Sequence, residues 1–180
     1  MSEKAKVIET QISGCFLFSS PIHKDSRGSF REWYVSDSLF DFTMKQGNFS
    51  ISNAGVLRGM HFSIGGDSQA KVVICVEGEI QDVLIDLRPD SPSFKAIFSI
   101  NLSPTTGHSL LVAPGVAHGF LSLKEGSGVI YLTSEKYNPV AERSLNAQDP
   151  LVKGVWSAKG FTRSQKDQEA PFFDDLSFDW

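Results

Sequence analysis

The sequence predicts an all-β domain, either a sandwich or a barrel, on three observations. Short runs rich in Val, Ile and Phe recur through the middle of the chain. Gly, Pro, Asn and Ser separate these runs at regular intervals, which is typical of sandwiches and barrels. A helical pattern is confined to one stretch, residues 37–46, so we expect only a few short helices.

The helical stretch is the first element in chain order. Ser36 or Asp37 would cap its N-terminus, because a short side-chain oxygen can accept a hydrogen bond from the first turn. The apolar side of this helix is predicted to carry Leu39, Phe40 and Phe42.

Six strands are predicted after the helix. They are residues 71–77, 80–87, 94–101, 109–112, 116–121 and 129–133. In the second strand Val83, Ile85 and Leu87 share one parity. Asp82 and Asp86 share the other, which indicates one face on a core and one face off it. In the first strand both parities are apolar, so we expect cover on both sides.

The composition indicates one ordinary globular domain over residues 1–180. Hydrophobic residues make up 41% of the 180 residues and charged residues 21%, enough for a sizeable core.

Aromatic residues beyond Pro150 predict that the last segment packs back onto the body. These are Trp156, Phe161, Phe172 and Phe173. The two cysteines, Cys15 and Cys75, form no C-x-x-C pair and fit a reducing cytoplasm.

Charge and hydropathy exclude several classes of partner. The net charge is −4 and no basic block is present, so we expect no nucleic-acid partner. The apolar runs are only a few residues long, and the N-terminus is polar. We therefore expect neither a membrane span nor a secretory signal, and a cytoplasmic location.

A metal centre is also not expected. A small β-barrel can bind a divalent ion through a His-x-His pair with a downstream carboxylate and a third histidine. The residue two after His61 is Ser63, so the pair lacks its second ligand.

Three polar residues lie in apolar strand surroundings, and each has a purely structural interpretation. Lys71 shares the parity of Val73 and Cys75, so its ammonium either lies in water at the barrel mouth or reaches a cavity where negative charge develops. His118 is either a hydrogen-bonded core histidine or a functional group. Tyr131 could be simply a large strand residue.

A series of short motifs along the chain decides between these interpretations. They are D-x-R-G-x-F-x-E at 25–32, Q-x-N-x-S at 46–50, G-V-L-R-G-x-H at 55–61, G-x-x-x-D-V-x-x-D-L-R-x-x-S-P at 78–92, A-H-G-F at 117–120, Y-x-x-x-x-x-Y-x-P at 131–139 and S-x-K-D at 164–167. Together these motifs, in this order over about 140 residues, resemble those of the dTDP-4-dehydrorhamnose 3,5-epimerase family of sugar-nucleotide enzymes.

The resemblance implies a cupin-type jelly-roll barrel and a homodimer with strands packed across the interface. It implies proton removal and return at carbons beside the 4-ketone of a nucleotide-linked 4-keto-6-deoxyhexose, without a cofactor, in deoxysugar and surface-polysaccharide synthesis. A proton taken from beside a ketone leaves an enolate. The enzyme therefore needs a base near the carbon, a cation near the oxygen and an acid on the opposite face.

The resemblance also implies a role for individual residues. His61 would be the base, Asp167 would orient it, Lys71 would face the ketone oxygen and Tyr131 would be the acid. The substrate-binding set would be Arg27, Glu32, Asn48, Arg58, His118, Tyr137 and Lys166, with Arg27 and Glu32 supplied by the neighbouring subunit. Arg58 and His61 would point to opposite faces of an ideal strand, so we expect a bulge at Gly59.

The chain also departs from the family pattern. His23 stands where the family has Phe, and Ser63 stands where it has Gln. Two further departures lie at residues 91–95, where Lys95 replaces the Gly of the family motif, and at residues 147–150. These departures leave three alternatives open. The substrate sugar could be a related 4-keto sugar, its nucleotide could carry a base other than thymine, such as cytosine, or the enzyme could invert carbon 3 alone. A 3,4-ketoisomerase and a non-catalytic sugar-nucleotide binder remain alternatives.

Overall fold

Antiparallel β-structure dominates the computed structural model of the chain, which describes residues 5–35 and 42–176. In chain order the strands are β1 (Lys6–Glu9), β2 (Phe16–Ser19), β3 (His23–Asp25), β4 (Gly28–Phe30), β5 (Gln46–Ser52), β6 (Leu57–Ser63), β7 (Lys71–Glu77), β8 (Ile80–Asp86), β9 (Ile97–Leu102), β10 (His108–Val112), β11 (Val116–Ser122), β12 (Ser127–Thr133) and β13 (Glu142–Ser144). The helical elements are the 3-10 turns Gly65–Asp67 and Phe173–Asp175 and one α-helix, α1 (Gln165–Gln168). The all-β prediction is confirmed.

Two large sheets form the body. The first has the strand order β1-β2-β10-β7-β12-β5, and the second has the order β13-β6-β11-β8-β9. Strands β3 and β4 form a separate hairpin. Neighbours in the first sheet come from distant parts of the chain, as in β12, where Tyr131 pairs with Asn48 on one side and Val73 on the other. This topology brings residues from several motifs to one interior.

The core between the sheets is built from alternate residues of both. Val73 and Cys75 of β7 pack with Ile80 and Leu84 of β8 and with Phe120 of β11. Because side chains alternate along a strand, Lys71 lies on the same interior parity as Val73. The interior therefore continues from an apolar core into a polar region at the Lys71 end of β7.

Two further apolar layers cover the outer faces of the sheets. Over β7 and β10, Val72 and Leu111 pack against Trp33, Tyr34 and Phe42. Over the second sheet, a larger cluster joins β6, β8 and β11 to the segment after β13. That cluster includes Phe62, Val83, Ile85, Leu145, Val152 and Trp156. The prediction that strand 71–77 is covered on both sides is confirmed.

Apolar layers on both faces of the second sheet bury β8 completely, so the prediction that Asp82 and Asp86 lie on a face off the core is wrong. Asp82 and Asp86 do not lie off the core, because both are fully buried and every residue of β8 is buried. Each carboxylate has its own partner instead, Asp82 with His118 and Asp86 with Arg88. A buried carboxylate is tolerated when it is paired and hydrogen-bonded.

The predicted helix at 37–46 is wrong where it can be compared. Residues 36–41 lie outside the described part of the chain, which includes the predicted cap and the residues Leu39 and Phe40. Residues 42–45 are not helical, and Gln46 begins β5. Phe42 packs over the outer face of β7 and β10, and the Lys45 amide donates to the Thr133 carbonyl, so the chain is already extended as it enters the sheet.

The C-terminal segment packs onto the second sheet as predicted. Trp156 is buried, and its indole N–H donates to the Ala147 carbonyl. Phe161 and Phe173 are partly buried in the same cluster, whereas Phe172 is exposed. Within the described ranges, no helix has the length and apolar character needed to cross a bilayer.

Lys95 shows how one departure from the family pattern is accommodated. Its φ is 64°, in the left-handed region where a glycine is favoured. The Lys95 ammonium lies 4.3 Å from the ring centroid of Phe173. This cation–π contact offsets part of the backbone cost of a residue with a Cβ at this position.

Candidate active site

Two adjoining cavities open between the sheets, and they share four side chains. The shared residues are His61, Lys71, Tyr131 and Lys166. The first cavity, of about 320 Å³, is also lined by Gln46, Asn48, Phe62, Ser63, Asp67, Gln69, Thr133, Tyr137, Asn138 and Glu142. The second cavity, of about 400 Å³, is also lined by Ser50, Val56, Leu57, Arg58, His118, Phe120, Thr162, Arg163, Ser164 and Asp167.

The structure brings most of the predicted site residues to these cavities. All four residues with an expected catalytic role line one or both of them, as do Asn48, Tyr137, Arg58, His118 and Lys166. Arg27 and Glu32 line neither. Arg27 is exposed on the β3–β4 hairpin and pairs with Asp25, and Glu32 is exposed beyond the hairpin. His23 lies beside Arg27 in the same hairpin.

His61 and Asp167 form a tight pair. The Nε2 atom of His61 lies 2.6 Å from Oδ1 of Asp167. Burial alone would raise the pKa of Asp167, but the hydrogen bond and charge of His61 bring it below its usual value. An ionised Asp167 places the imidazole proton on Nε2, which leaves the Nδ1 lone pair available as a base.

Local structure holds Asp167 in this position. Ser164 caps α1, because its side chain accepts a hydrogen bond from the Asp167 amide at 3.1 Å. The Arg163 guanidinium donates to the Asp167 carbonyl at 3.2 Å. Asp167 is 4% exposed, so its carboxylate is fixed against the histidine.

Arg58 and His61 both face the second cavity because β6 is irregular between them. His118 pairs with His61, but Phe120 pairs with Arg58, so the register shifts within the strand pair. Gly59 lies at this shift with a φ of 119°. The expected bulge at Gly59 is confirmed.

The bulge depends on two glycines in contact, and this gives a prediction. A Cβ on Gly59 would lie 2.6 Å from the Cα of Gly119 and 2.8 Å from the His118 carbonyl. We expect Gly59→Ala to lower the free energy of unfolding by about 2 to 5 kcal/mol, from the positive φ and the backbone clash together. Urea denaturation measures this loss. Gly66→Ala, whose Cβ would meet nothing within 4 Å, is the control; an equal loss there would contradict the explanation.

Lys71 is enclosed in the interior, and its ammonium lies 3.4 Å from the His61 carbonyl. Burial lowers the pKa of Lys71 from 10.5 to about 8, and the negative charges of Glu142 and Asp82 oppose the shift. Lys71 is therefore still largely protonated at neutral pH and can stabilise negative charge that develops beside it.

The pKa of Lys71 predicts opposite effects of pH on turnover and stability. Turnover should fall as the pH rises through about 8, because Lys71 loses its charge. Between pH 8 and 10.5 the unfolded chain binds more protons at this lysine, so its contribution to stability should increase with pH. Lys71→Arg should lose the alkaline fall in turnover, because arginine stays charged. The exposed Lys153→Arg is the control, and a shared profile in all three proteins would contradict this assignment.

Tyr131 approaches the same space from the opposite wall. His61 lies on β6 in the second sheet, whereas Tyr131 lies on β12 in the first. Burial raises the pKa of Tyr131, the Glu142 charge raises it further, and Arg58 opposes both. The phenol therefore carries its proton at neutral pH and can act as an acid.

Tyr137, unlike Tyr131, forms a hydrogen bond with a carboxylate. Its hydroxyl donates to Glu142, and this hydrogen bond, with the Glu142 charge, raises the pKa of Tyr137. Glu142 also lies 3.2 Å from the ammonium of Lys166. Burial would raise the pKa of Glu142, but Tyr137 and Lys166 bring it below its usual value. Glu142 thus links two predicted binding residues, and sequence reasoning missed it.

His118 forms a second pair with a carboxylate. Its Nε2 atom lies 2.9 Å from Oδ2 of Asp82, and both side chains are buried. His118 is thus both a hydrogen-bonded interior histidine and a residue that lines the second cavity. The two interpretations from the sequence do not exclude each other.

No cluster of three or more histidine, cysteine, aspartate or glutamate side chains suited to a metal ion occurs among residues 5–35 and 42–176. Ser63, at the position where a second metal ligand would stand, accepts a hydrogen bond from the Gln69 amide at 2.7 Å. It serves to fix the loop before β7, on the wall of the first cavity.

Similarity to known proteins extends over nearly the whole chain. The family model described as dTDP-4-dehydrorhamnose 3,5-epimerase matches residues 9–175. The chain belongs to the dTDP-4-dehydrorhamnose 3,5-epimerase family. An enzyme of that name from Mycobacterium tuberculosis is 38% identical over 179 residues, which cover 95% of this chain and 89% of the relative.

Solved structures of family members share the fold. The dTDP-4-dehydrorhamnose 3,5-epimerase of Elizabethkingia anophelis has a TM-score of 0.91 and 33% identity, with 98% of this chain and 100% of that chain covered. A 3'-monoepimerase from Streptomyces bikiniensis, solved with dTDP-quinovose, has a TM-score of 0.86 and 31% identity, with 92% and 86% covered. The chain therefore has the cupin-type jelly-roll of this epimerase family, as the sequence predicted.

Proposed function

We propose that this epimerase inverts carbon 3 of a nucleotide-diphosphate-linked 4-keto-6-deoxyhexose, and carbon 5 where the substrate allows. The observation that carries the proposal is the placement of a His–Asp pair and a protonated phenol on opposite sheets, with Lys71 lining the same two cavities as His61 and Tyr131. Inversion needs proton removal on one face of a carbon and proton delivery on the other.

The reaction would proceed in two proton transfers. Nδ1 of His61 takes the proton from the carbon beside the ketone, and Asp167 stabilises the imidazolium that forms. The electron pair of the C–H bond forms a C=C bond to the ketone carbon, and the C=O π pair moves onto the oxygen, where Lys71 offsets the negative charge of the enolate. Tyr131 then delivers its proton to the opposite face of the carbon, and solvent restores the phenol and the imidazole.

Tyr131 is a better acid than Tyr137 in this arrangement. The Tyr137 hydroxyl already donates to Glu142, and the residue is 56% exposed. The Tyr131 hydroxyl has no carboxylate acceptor within residues 5–35 and 42–176, and it lines the same cavities as His61, Lys71 and Lys166. We therefore assign Tyr137 to substrate binding.

Solvent deuterium uptake tests the proposal and separates its alternatives. The enzyme is incubated in D₂O with dTDP-4-dehydro-6-deoxyglucose, the sugar named for a 33% identical relative, and the products are read by proton NMR. Deuterium with inversion at carbon 3 alone indicates a 3-epimerase, and at carbons 3 and 5 a 3,5-epimerase. A ketone moved to carbon 3 would indicate a ketoisomerase. The cytidine analogue tests the nucleotide, and binding without exchange of any proton would contradict an epimerase.

We also propose that the enzyme is a homodimer. Edge strand β5 exposes Phe49 and Ile51, at 63% and 59%, and Val76 beside them is 39% exposed. Apolar side chains grouped on an edge strand suit contact with a second copy. Equilibrium sedimentation should give twice the chain mass for the wild type and a single chain mass for a Phe49→Glu, Ile51→Glu variant. Val140→Glu, at a 77% exposed site elsewhere, should stay dimeric.

Arg27 and Glu32 would act across that interface, because neither lines the two cavities that contain the candidate catalytic residues of its own chain. Mixed dimers test this. A dimer of one His61→Ala subunit and one Arg27→Ala subunit contains one fully intact site if Arg27 serves its partner. Activity should then return to about half of wild type per dimer. If Arg27 serves its own subunit, both sites are defective and activity stays low.

A further inference from the structure

Positive charge is concentrated in the second cavity of a chain whose net charge is −4. Four cationic side chains line it, and its one carboxylate is the His61 partner Asp167. The cations are Arg58, Lys71, Arg163 and Lys166. The first cavity, by contrast, balances the two shared lysines with Asp67 and Glu142. A concave surface with unbalanced positive charge binds anions.

Two of the four cations already have a role. Lys166 is paired with Glu142 at 3.2 Å. Lys71, whose ammonium lies 3.4 Å from the His61 carbonyl, is assigned to the enolate oxygen by the proposed function. The guanidinium of Arg58 is bound only by neutral acceptors, with its Nε 3.0 Å from Ser52 Oγ and its Nη2 3.2 Å from the Ile51 carbonyl. No carboxylate in the described part of the chain neutralises the positive charge of Arg58, so this charge is available to bind an anionic ligand.

The guanidinium of Arg163, like that of Arg58, is hydrogen-bonded only to neutral acceptors in the described ranges. Its Nη1 donates to Asn146 Oδ1 at 2.8 Å and to the Asp167 carbonyl at 3.2 Å, and both acceptors are neutral. No carboxylate of the described residues lies within ion-pair distance of its guanidinium. A guanidinium with unpaired charge in a cavity suits the planar, two-point recognition of a phosphate.

The anchor of Arg163 is rigid. Asn146 is 4% exposed, and its amide donates to the carbonyls of Gln168 and Ala170 at 3.1 and 3.0 Å. Arg163 is therefore held through Nη1 and through the ring of Phe161, whose centroid lies 5.5 Å from its Cζ, while Nη2 and Nε have no hydrogen-bond acceptor among the described residues. A side chain fixed before binding loses little conformational entropy when a ligand arrives.

We propose that Arg163 is a ligand of the substrate diphosphate and acts with Arg58 in the second cavity. The proposal rests on the proposed function for its substrate class, a sugar nucleotide. It assigns the diphosphate to the second cavity, because the first has no unbalanced positive charge. Arg163 stands one residue before the S-x-K-D motif, so the motif that identified Asp167 does not include it.

Calorimetry with the full chain tests the assignment with three probes, dTDP, dTMP and inorganic pyrophosphate. We expect Arg163→Met to weaken binding of dTDP and pyrophosphate by about 10- to 100-fold, the range for a charge-assisted hydrogen bond, and that of dTMP by less. Arg163→Lys should recover part of the loss because it restores the charge without the planar fork. Lys159→Met removes an exposed charge outside both cavities and should change nothing.

Steady-state kinetics exclude a purely structural role. An effect on the diphosphate raises KM, whereas a displaced Asp167 lowers kcat. Unchanged affinity for dTDP and pyrophosphate in Arg163→Met, with a lower kcat, would overturn the proposal, since Arg163 would then act only on the Asp167 segment. If wild type exchanges no proton of any 4-keto sugar nucleotide but binds pyrophosphate through Arg163, the proposed function fails and this assignment stands.

Discussion

His61→Ala should lower kcat for epimerisation by about 100- to 10,000-fold, the usual contribution of a general base. Asp167→Ala should cause a loss of similar order, because an unoriented imidazole no longer presents the Nδ1 lone pair to the substrate. The two residues lie 2.6 Å apart and act as one group, so the double variant should be little worse than His61→Ala alone.

Three measurements sharpen this prediction. Asp167→Asn keeps the shape of the side chain but removes the charge, and should lose most of the activity because the amide no longer stabilises imidazolium. Asp174→Ala, at an exposed carboxylate of the same segment, should keep wild-type kcat. Losses that multiply in the His61, Asp167 double variant would show that Asp167 has a separate task.

Tyr131→Phe should keep exchanging substrate protons with solvent while it makes little inverted product. His61 can still remove the proton, and imidazolium can return a solvent-derived proton to the same face, which exchanges hydrogen without inversion. Loss of the phenol removes delivery from the opposite sheet. We expect inversion to fall about 100-fold or more relative to exchange.

Deuterium incorporation and epimer formation are followed in the same NMR experiment. Tyr137→Phe is the matched control, because its hydroxyl is bound to Glu142; it should weaken binding and leave the ratio of exchange to inversion unchanged. Equal loss of exchange and inversion in Tyr131→Phe, with an unchanged circular dichroism spectrum, would make Tyr131 a binding residue. Carbon 3 should exchange faster than carbon 5 if the departures at His23 and Ser63 mark a single-centre enzyme.

The apolar runs predicted β7 to β12, and most residues of these strands are buried except in β9. They did not predict β2, β5 or β13, nor β1, whose four residues are all exposed, nor the short hairpin of β3 and β4. The rule of alternating parity failed at Asp82 and Asp86. Polar residues on one parity ordinarily mark a solvated face, and the rule has no means of recognising that His118 and Arg88 would meet them inside.

Only part of the candidate site could be predicted from the sequence, because several of its residues meet only in the folded chain. The parity of β7 indicated the interior face for Lys71 but left open whether its ammonium lies in water or in a cavity. The pairing of His61 with Asp167 spans 106 residues, so only the family resemblance connected them. Glu142 and Arg163 belong to no motif used in the prediction, and their importance arises from charge balance within a cavity. That balance is a property of the folded chain and has no local signal.

The His61–Asp167 contact joins the barrel to a segment that is itself held by the outer apolar layer around Trp156. If this layer opens while the barrel persists, the base loses its orienting carboxylate although nearly all strand hydrogen bonds remain. Turnover would then report a partial opening that far-ultraviolet spectroscopy does not detect. Catalysis should decline at a lower denaturant concentration than the β-sheet signal, and the gap between the two midpoints measures the independence of the C-terminal layer.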